Sequence, residues 1–212
     1  MNKVLAYMEK NKHAIVEDLK TVVSLESPSF DKAAVDRLGR RLEQMFAETG
    51  AATAFLPQEN YGDLLRIEWG EGMEDGQTLV LCHMDTVFGI GDIAKNPLRM
   101  DNGRLYGPGS YDMKAGIVLF LWALRCMKDL NLKPRRTIVG LVTSDEEIGS
   151  LASRPVIEHE ARRSKAALVT EPPMSPSGAL KTWRKGMAMY ELFVTGKSAH
   201  AGSDPGKGVS AV

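Results

Sequence analysis

Several apolar segments of this sequence end in histidine or carboxylate residues, which are potential ligands of a metal ion. The residues are His83, Asp85, Asp112, Asp145, Glu146, Glu147 and Glu171. Histidine and carboxylates without thiolates suit zinc or a similar first-row divalent ion in an open, catalytic site. Taken singly, each has an ordinary alternative as a helix cap, turn or strand-exit residue. Their recurrence in four segments favours a shared site.

Spacing within the segments predicts different roles for neighbouring residues. Residues at i and i+2 of an extended segment face the same side, so Asp85 can accept the second ring N–H of His83. Adjacent residues at a strand end face opposite sides, so Glu146 and Glu147 are unsuited to binding one ion together. One would bind metal and the other would move protons on a bound water. Asp145 is predicted to be a turn or capping residue.

The elements that must position these residues are apolar strands alternating with helices. Strands are expected near 51–57, 62–69, 77–85, 135–144 and 165–171, and helices near 14–25, 33–50, 113–130 and 150–163. This order predicts an α/β fold with a mainly parallel, mixed sheet and helices on both faces. Ligands of such sheets bind beyond the carboxyl ends of the strands, where the four segments would meet.

A change of pattern after Pro172 indicates a second domain. The turn-rich "PPMSPSG" leads to "MAMYELFVTG", which predicts a half-exposed strand over 187–196. We expect a catalytic, metal-binding domain over 1–185 and the beginning of a smaller domain over 186–212. The final "GVSAV" is typical of a helix that has just started, so the sequence is expected to be truncated.

Composition excludes several kinds of partner. Lysine plus arginine and aspartate plus glutamate number 27 each, so net charge predicts neither a nucleic acid nor an anionic membrane as partner. The longest apolar run, 115–124, is about half of what a membrane-spanning helix needs. We expect no signal peptide, and we expect Cys82 and Cys126 to be buried thiols of a cytoplasmic protein. The expected partner is a small molecule.

Five motifs together resemble a known enzyme family. In chain order they are "LVLCHMDTVF", "GPGSYDMKAG", "LVTSDEEIGS", "VTEP" and "GKSAHAG". Their order and spacing are similar to those of the M20 metallopeptidases, which are dizinc amidohydrolases. "TSDEEIGS" followed by Ser153 and Arg154, together with "TGKSAHAG", most resembles the glutamate carboxypeptidase branch. The resemblance implies a zinc-exopeptidase-like catalytic domain, a smaller α+β lid and dimerisation domain, and a homodimer.

The resemblance also implies which residues bind metal. His83 and Glu171 would bind one ion, Glu147 would bind a second, and Asp112 would bridge both. The two divalent ions are expected to be zinc, with cobalt or manganese as alternatives. By the same analogy, the peptide bond after Asp112 would be cis.

Three further residues take catalytic roles by this resemblance. Glu146 would be the general base that deprotonates a bridging water, and Asp85 would orient His83. His200, in "SAHAG", would reach the active site of a partner subunit and polarise the scissile carbonyl. The expected reaction is hydrolysis of a peptide or N-acyl amino acid amide bond.

Alternatives remain at the level of substrate and activity. A carboxypeptidase, a dipeptidase and an N-acyl amino acid deacylase all fit these motifs. The family also takes a last histidine ligand of the second metal from a segment that would lie beyond Val212. A non-catalytic, metal-binding or dimerising remnant is therefore a second hypothesis.

Overall fold

The computed structural model describes residues 2–174 and 177–212, which form two compact units, Met1–Pro172 and Pro173–Val212. We call them the first and the second unit. Among the described residues the α-helices are α1 (Lys3–Lys10), α2 (Lys12–Val23), α3 (Lys32–Ala47), α4 (Asp92–Lys95), α5 (Ala115–Asp129) and α6 (Arg154–Arg163). The strands are β1 (Ala52–Leu56), β2 (Leu64–Trp69), β3 (Gln77–His83), β4 (Arg99–Asp101), β5 (Arg104–Tyr106), β6 (Thr137–Thr143) and β7 (Ser164–Val169).

The first unit is built on a mixed five-stranded sheet in the order β1-β2-β6-β3-β7. β3 pairs in parallel with both β6 and β7, whereas β2 is antiparallel to β1 and β6. In the parallel part His83 lies opposite Thr143, so β3 and β6 end at the same level. This confirms the predicted α/β class and brings the polar segments to one edge of the sheet.

Helices cover both faces of this sheet because its strands are apolar on both sides. On one face α2, α3 and α5 bury residues such as Leu38, Phe46 and Ile117 against Ile67 and Val80. On the other face, Val156 and Ile157 of α6 pack against buried strand residues, namely Leu64, Leu79, Val139 and Leu141. Successive strand residues alternate between these faces, as the period of two requires.

The predicted elements of the first unit agree with the structure to within a few residues, and two helices and two strands occur in addition. They are α1, the short α4, and the hairpin of β4 and β5. Asn102 and Gly103 form the hairpin turn with φ angles of 48° and 75°, which favour these two residue types.

The predicted strand over 187–196 is wrong, because the structure describes no strand there. Met187, Met189 and Tyr190 are each more than 90% exposed. A strand needs a neighbouring strand for its main-chain hydrogen bonds. In the described part of the second unit, the residue that follows this segment, Lys197, pairs only with Val209, and this pairing is an isolated bridge. The domain division at 185 remains a prediction.

Within the described residues, no helix has the length and apolarity needed to span a membrane.

Candidate metal centre

Four polar segments meet where the parallel strands end. β3 ends at His83, whose side chain is buried, and β7 is followed by Glu171. β6 continues into a 3-10 turn, Glu146–Ile148, which carries Glu146 and Glu147. Asp112 lies in the turn Ser110–Lys114 that leads into α5. The peptide bond between Asp112 and Met113 is cis, as the resemblance implies.

The Nε2 atom of His83 is the centre of this arrangement. It lies 3.2 Å from Asp112 Oδ1, 3.2 Å from Glu171 Oε1 and 3.8 Å from Glu146 Oε2. Two sets of three ligand atoms lie within 4.8 Å of one another: His83, Asp112 and Glu147, and His83, Glu146 and Glu171. The structure therefore brings together all four residues predicted to bind metal, and it places Glu146, the predicted general base, beside them.

The other ring nitrogen of His83 determines how Nε2 can act. Nδ1 lies 3.0 Å from the main-chain oxygen of Asp85, which can only accept, so Nδ1 carries a proton. In the neutral ring Nε2 then presents its lone pair to ionised carboxylates, which also present lone pairs. This contact is repulsive unless a proton or a cation lies between the groups.

The pKa values of these groups reflect the same crowding. Burial alone would lower the pKa of His83, but hydrogen bonds with Asp85 and Glu171 raise it to about 11. Burial, followed by the charge of Glu171, raises the pKa of Asp112. Burial and neighbouring carboxylates likewise raise the pKa values of Glu146 and Glu147. The cluster thus favours bound positive charge, and its imidazole and carboxylate donors fit zinc or a similar divalent ion.

Asp85 lies behind His83, as the spacing predicts, but its contact differs from the expected one. The nearest acceptor to Nδ1 is the main-chain oxygen, whereas the carboxylate Oδ1 lies 3.5 Å away. The carboxylate instead accepts from the main-chain N–H groups of Glu146 and Glu147, both at 3.2 Å. It also accepts from the hydroxyl of Ser29 at 2.7 Å, a contact that the sequence analysis missed.

Two other predicted residues each accept a pair of main-chain hydrogen bonds within their own unit. Asp145 is fully buried, and its Oδ2 accepts from the N–H groups of Ala152 and Ser153, in keeping with a turn-stabilising role. His200 belongs to the second unit, where its Nδ1 accepts from the N–H groups of Gly202 and Ser203, both at 3.1 Å.

Comparison with known proteins identifies the family. The model of peptidase family M20/M25/M40 matches residues 79–200, which include every predicted site residue. The chain belongs to this family. The M20 resemblance of the five motifs is thereby confirmed. The M20 family depends on bound metal.

The relatives of this M20 chain include a carboxypeptidase and a deacetylase. Carboxypeptidase G2 of Pseudomonas sp. (strain RS-16) is 30% identical over 205 residues, covering 94% of this chain and 48% of that protein. Acetylornithine deacetylase of Edwardsiella ictaluri (strain 93-146) is 29% identical over 205 residues, covering 91% and 51%. The M20 chain thus spans about half the length of these curated relatives.

Solved structures share the fold of this M20 chain. Human carnosine dipeptidase 1 superimposes with a TM-score of 0.69 at 20% identity, covering 79% of this chain and 40% of that one. An aminopeptidase of Bacillus cereus ATCC 10987 gives 0.68 at 21% identity, covering 95% and 54%.

Proposed function

We propose that the protein hydrolyses peptide or N-acyl amino acid amide bonds with the help of two bound divalent ions. The observation that carries this proposal is the position of His83 Nε2, 3.2 Å from both Asp112 and Glu171. A buried imidazole nitrogen surrounded by carboxylate oxygens needs a positive charge between these groups, and a bound metal ion supplies it. Membership of a metal-dependent peptidase family supports the same activity.

We assign His83, Asp112, Glu147 and Glu171 as the ligands. Zinc is the proposed ion, with cobalt or manganese as alternatives, because all three accept these donors. When bound, two such ions supply a Lewis acid for the substrate carbonyl and lower the pKa of the attacking water.

The side chains of the site then have distinct tasks. Glu146 takes a proton from the attacking water and returns it to the leaving amine. Its raised pKa, caused by burial and then by neighbouring carboxylates, makes this carboxylate a stronger base and suits uptake of the proton from the water. Asp85 holds the Nδ1–H of His83 through its main-chain oxygen, so that Nε2 stays available as a ligand.

For His200 we propose that it stabilises the negative charge that develops on the substrate carbonyl oxygen. Its Nδ1 accepts two main-chain hydrogen bonds, so the neutral ring carries its proton on Nε2. That N–H suits donation to an oxyanion. In the proposed homodimer this histidine acts in the active site of the partner subunit.

Among substrates, we favour those of a glutamate carboxypeptidase-like enzyme. The relatives named above are a carboxypeptidase and a deacetylase. A deacylase or dipeptidase of the same family is the alternative. We further propose that 1–185 form the catalytic domain, that 186–212 begin the lid and dimerisation domain, and that the protein acts in the cytoplasm.

The test is the variant Glu146→Gln, with Glu158→Gln on the exposed face of α6 as the matched control. The protein is loaded with zinc and assayed on N-acyl amino acids and small peptides. Loss of the proton carrier is expected to lower kcat by about 10²- to 10⁴-fold while zinc affinity stays within a few-fold. The control is expected to behave like the unmodified protein.

Two outcomes would change the proposal. Turnover by Glu146→Gln at nearly the unmodified rate would refute its role as the base. Tight zinc binding by the unmodified protein without hydrolysis of any of these substrates would favour the non-catalytic, metal-binding alternative.

A further inference from the structure

The segment Ser27–Ser29 is hydrogen-bonded to Met84–Thr86, the residues that follow the proposed ligand His83. The hydroxyl of Ser27 donates to the main-chain oxygen of Met84 at 2.7 Å, and the N–H of Thr86 donates to the oxygen of Ser27 at 2.9 Å. Both serines of the segment are buried. Asp85 is therefore held on either side along its main chain, and its side chain faces Ser29.

The carboxylate of Asp85 is fully buried and depends on its hydrogen-bond donors. Ser29 Oγ is the nearest of these donors, at 2.7 Å from Oδ2. The N–H groups of Glu146 and Glu147 donate to Oδ1 and Oδ2, both at 3.2 Å. A buried carboxylate that lacks hydrogen-bond donors is energetically unfavourable. The Ser29 hydroxyl therefore stabilises the ionised form of Asp85 and fixes its position.

Asp85 links two parts of the proposed metal site through different atoms. Its main-chain oxygen accepts from His83 Nδ1, and its carboxylate accepts from the turn that carries Glu147. A shift of Asp85 would move an imidazole ligand relative to a carboxylate ligand. The hydrogen bond from Ser29 to the Asp85 carboxylate opposes such a shift.

We propose that Ser29 is a positioning residue of the metal site, whose hydroxyl holds Asp85 and thereby keeps His83 and Glu147 at the separation that zinc binding requires. The inference rests on the proposed function, since it concerns the same ligands. It assigns to the Ser27–Ser29 segment a role that none of the five motifs contains.

Zinc affinity tests this role without any assay of catalysis. Zinc is titrated against a competing chelator into the unmodified protein, Ser29→Ala, and the matched control Thr49→Val. Thr49 also has a buried hydroxyl, but it donates to Phe46 at the end of α3. Groups that orient ligands typically change metal affinity 10- to 100-fold, so about a tenfold loss is expected for Ser29→Ala and less than about twofold for the control.

A double-mutant cycle with Asp85→Ala separates positioning from a general loss of stability. Without Asp85 the Ser29 hydroxyl has lost its partner, so adding Ser29→Ala is expected to change zinc affinity by less than about twofold. A tenfold loss in both backgrounds would overturn the inference. Should Ser29→Ala fail to fold, Ser29→Cys keeps a weaker donor at similar size and is expected to give a smaller, measurable loss.

The outcomes distinguish this inference from the proposed function. Equal zinc affinity of Ser29→Ala and the unmodified protein would overturn the inference alone. Zinc binding that depends on Ser29 in a protein without hydrolytic activity would overturn the proposed function and support the inference. An unmodified protein that binds no zinc would overturn both.

Discussion

At the scale of single residues, Asp145 provides a test of how the glutamate-bearing turn is held. Its Oδ2 accepts from the N–H groups of Ala152 at 2.6 Å and of Ser153 at 3.1 Å, and the side chain is fully buried. Asp145→Ala would leave both donors unpaired, at about 1–3 kcal/mol for each buried group. We expect the free energy of unfolding, measured by urea denaturation, to fall by about 2–6 kcal/mol.

A nearby acidic residue supplies the control. Glu158 is solvent-exposed on α6 and pairs with Arg154 and Arg162 at 2.9 and 2.8 Å. Exposed pairs contribute little, so Glu158→Ala is expected to leave the free energy of unfolding nearly unchanged. If Asp145→Ala cost no more than this control, Asp145 would not be what holds the turn.

The identities of the metal-site candidates were predictable because the ends of parallel strands share one edge of a sheet. His83, Glu146 and Glu171 follow apolar runs that could be read directly as strands. Ser29 was not predictable in this way. It lies on no strand and 56 positions before its partner Asp85, so only the folded chain brings the two together.

At the scale of elements, Gly116 sets how closely α5 approaches the segment that carries Glu171. A Cβ atom at position 116 would lie 2.0 Å from the main-chain oxygen of Thr170 and 3.0 Å from Met113 Cε. Main chain cannot yield as a flexible side chain can. We therefore expect Gly116→Ala to displace the end of β7, to lower the unfolding midpoint, and to weaken zinc binding in a titration.

Gly39 is the matched control, since it is also a buried glycine inside a helix. A Cβ atom there would meet only side chains, Phe55 at 3.3 Å and Met84 at 3.5 Å. Small movements of these side chains can accommodate it, and alanine favours helix by up to about 1 kcal/mol over glycine. We expect Gly39→Ala to leave zinc affinity unchanged. An equal effect of both variants on zinc would contradict the role given to Gly116.

Elements were predictable where the apolar pattern extends over enough residues to be recognised, as in α3, α5 and the five strands of the main sheet. Hairpin strands β4 and β5 have three residues each, too few for an alternating pattern. Their Asn102-Gly103 turn was the available signal. The strand expected over 187–196 has the right pattern, but pattern alone supplies no partner for its main chain.

At the scale of the whole molecule, the apolar core belongs to the first unit. Both core clusters consist of residues between Tyr7 and Ile157. In the second unit five large apolar side chains within 187–193 are 80–92% exposed, namely Met187, Met189, Tyr190, Leu192 and Phe193. Folding stability should therefore come from the first unit, whereas exposed apolar surface of this kind promotes association.

A chain ending at Pro172 tests this division. It retains the described core, so its unfolding midpoint is expected to stay within about 4 °C of that of the 212-residue chain, a shift that corresponds to about 1 kcal/mol. It is also expected to self-associate less in light scattering across a concentration series, because the exposed apolar side chains of 187–193 are gone. A 212-residue control with Leu192→Ser and Phe193→Ser should associate less while its midpoint is unchanged. A large fall in the midpoint of the shortened chain would mean that residues after 172 stabilise the first unit, and the core would then have to be redefined to include them.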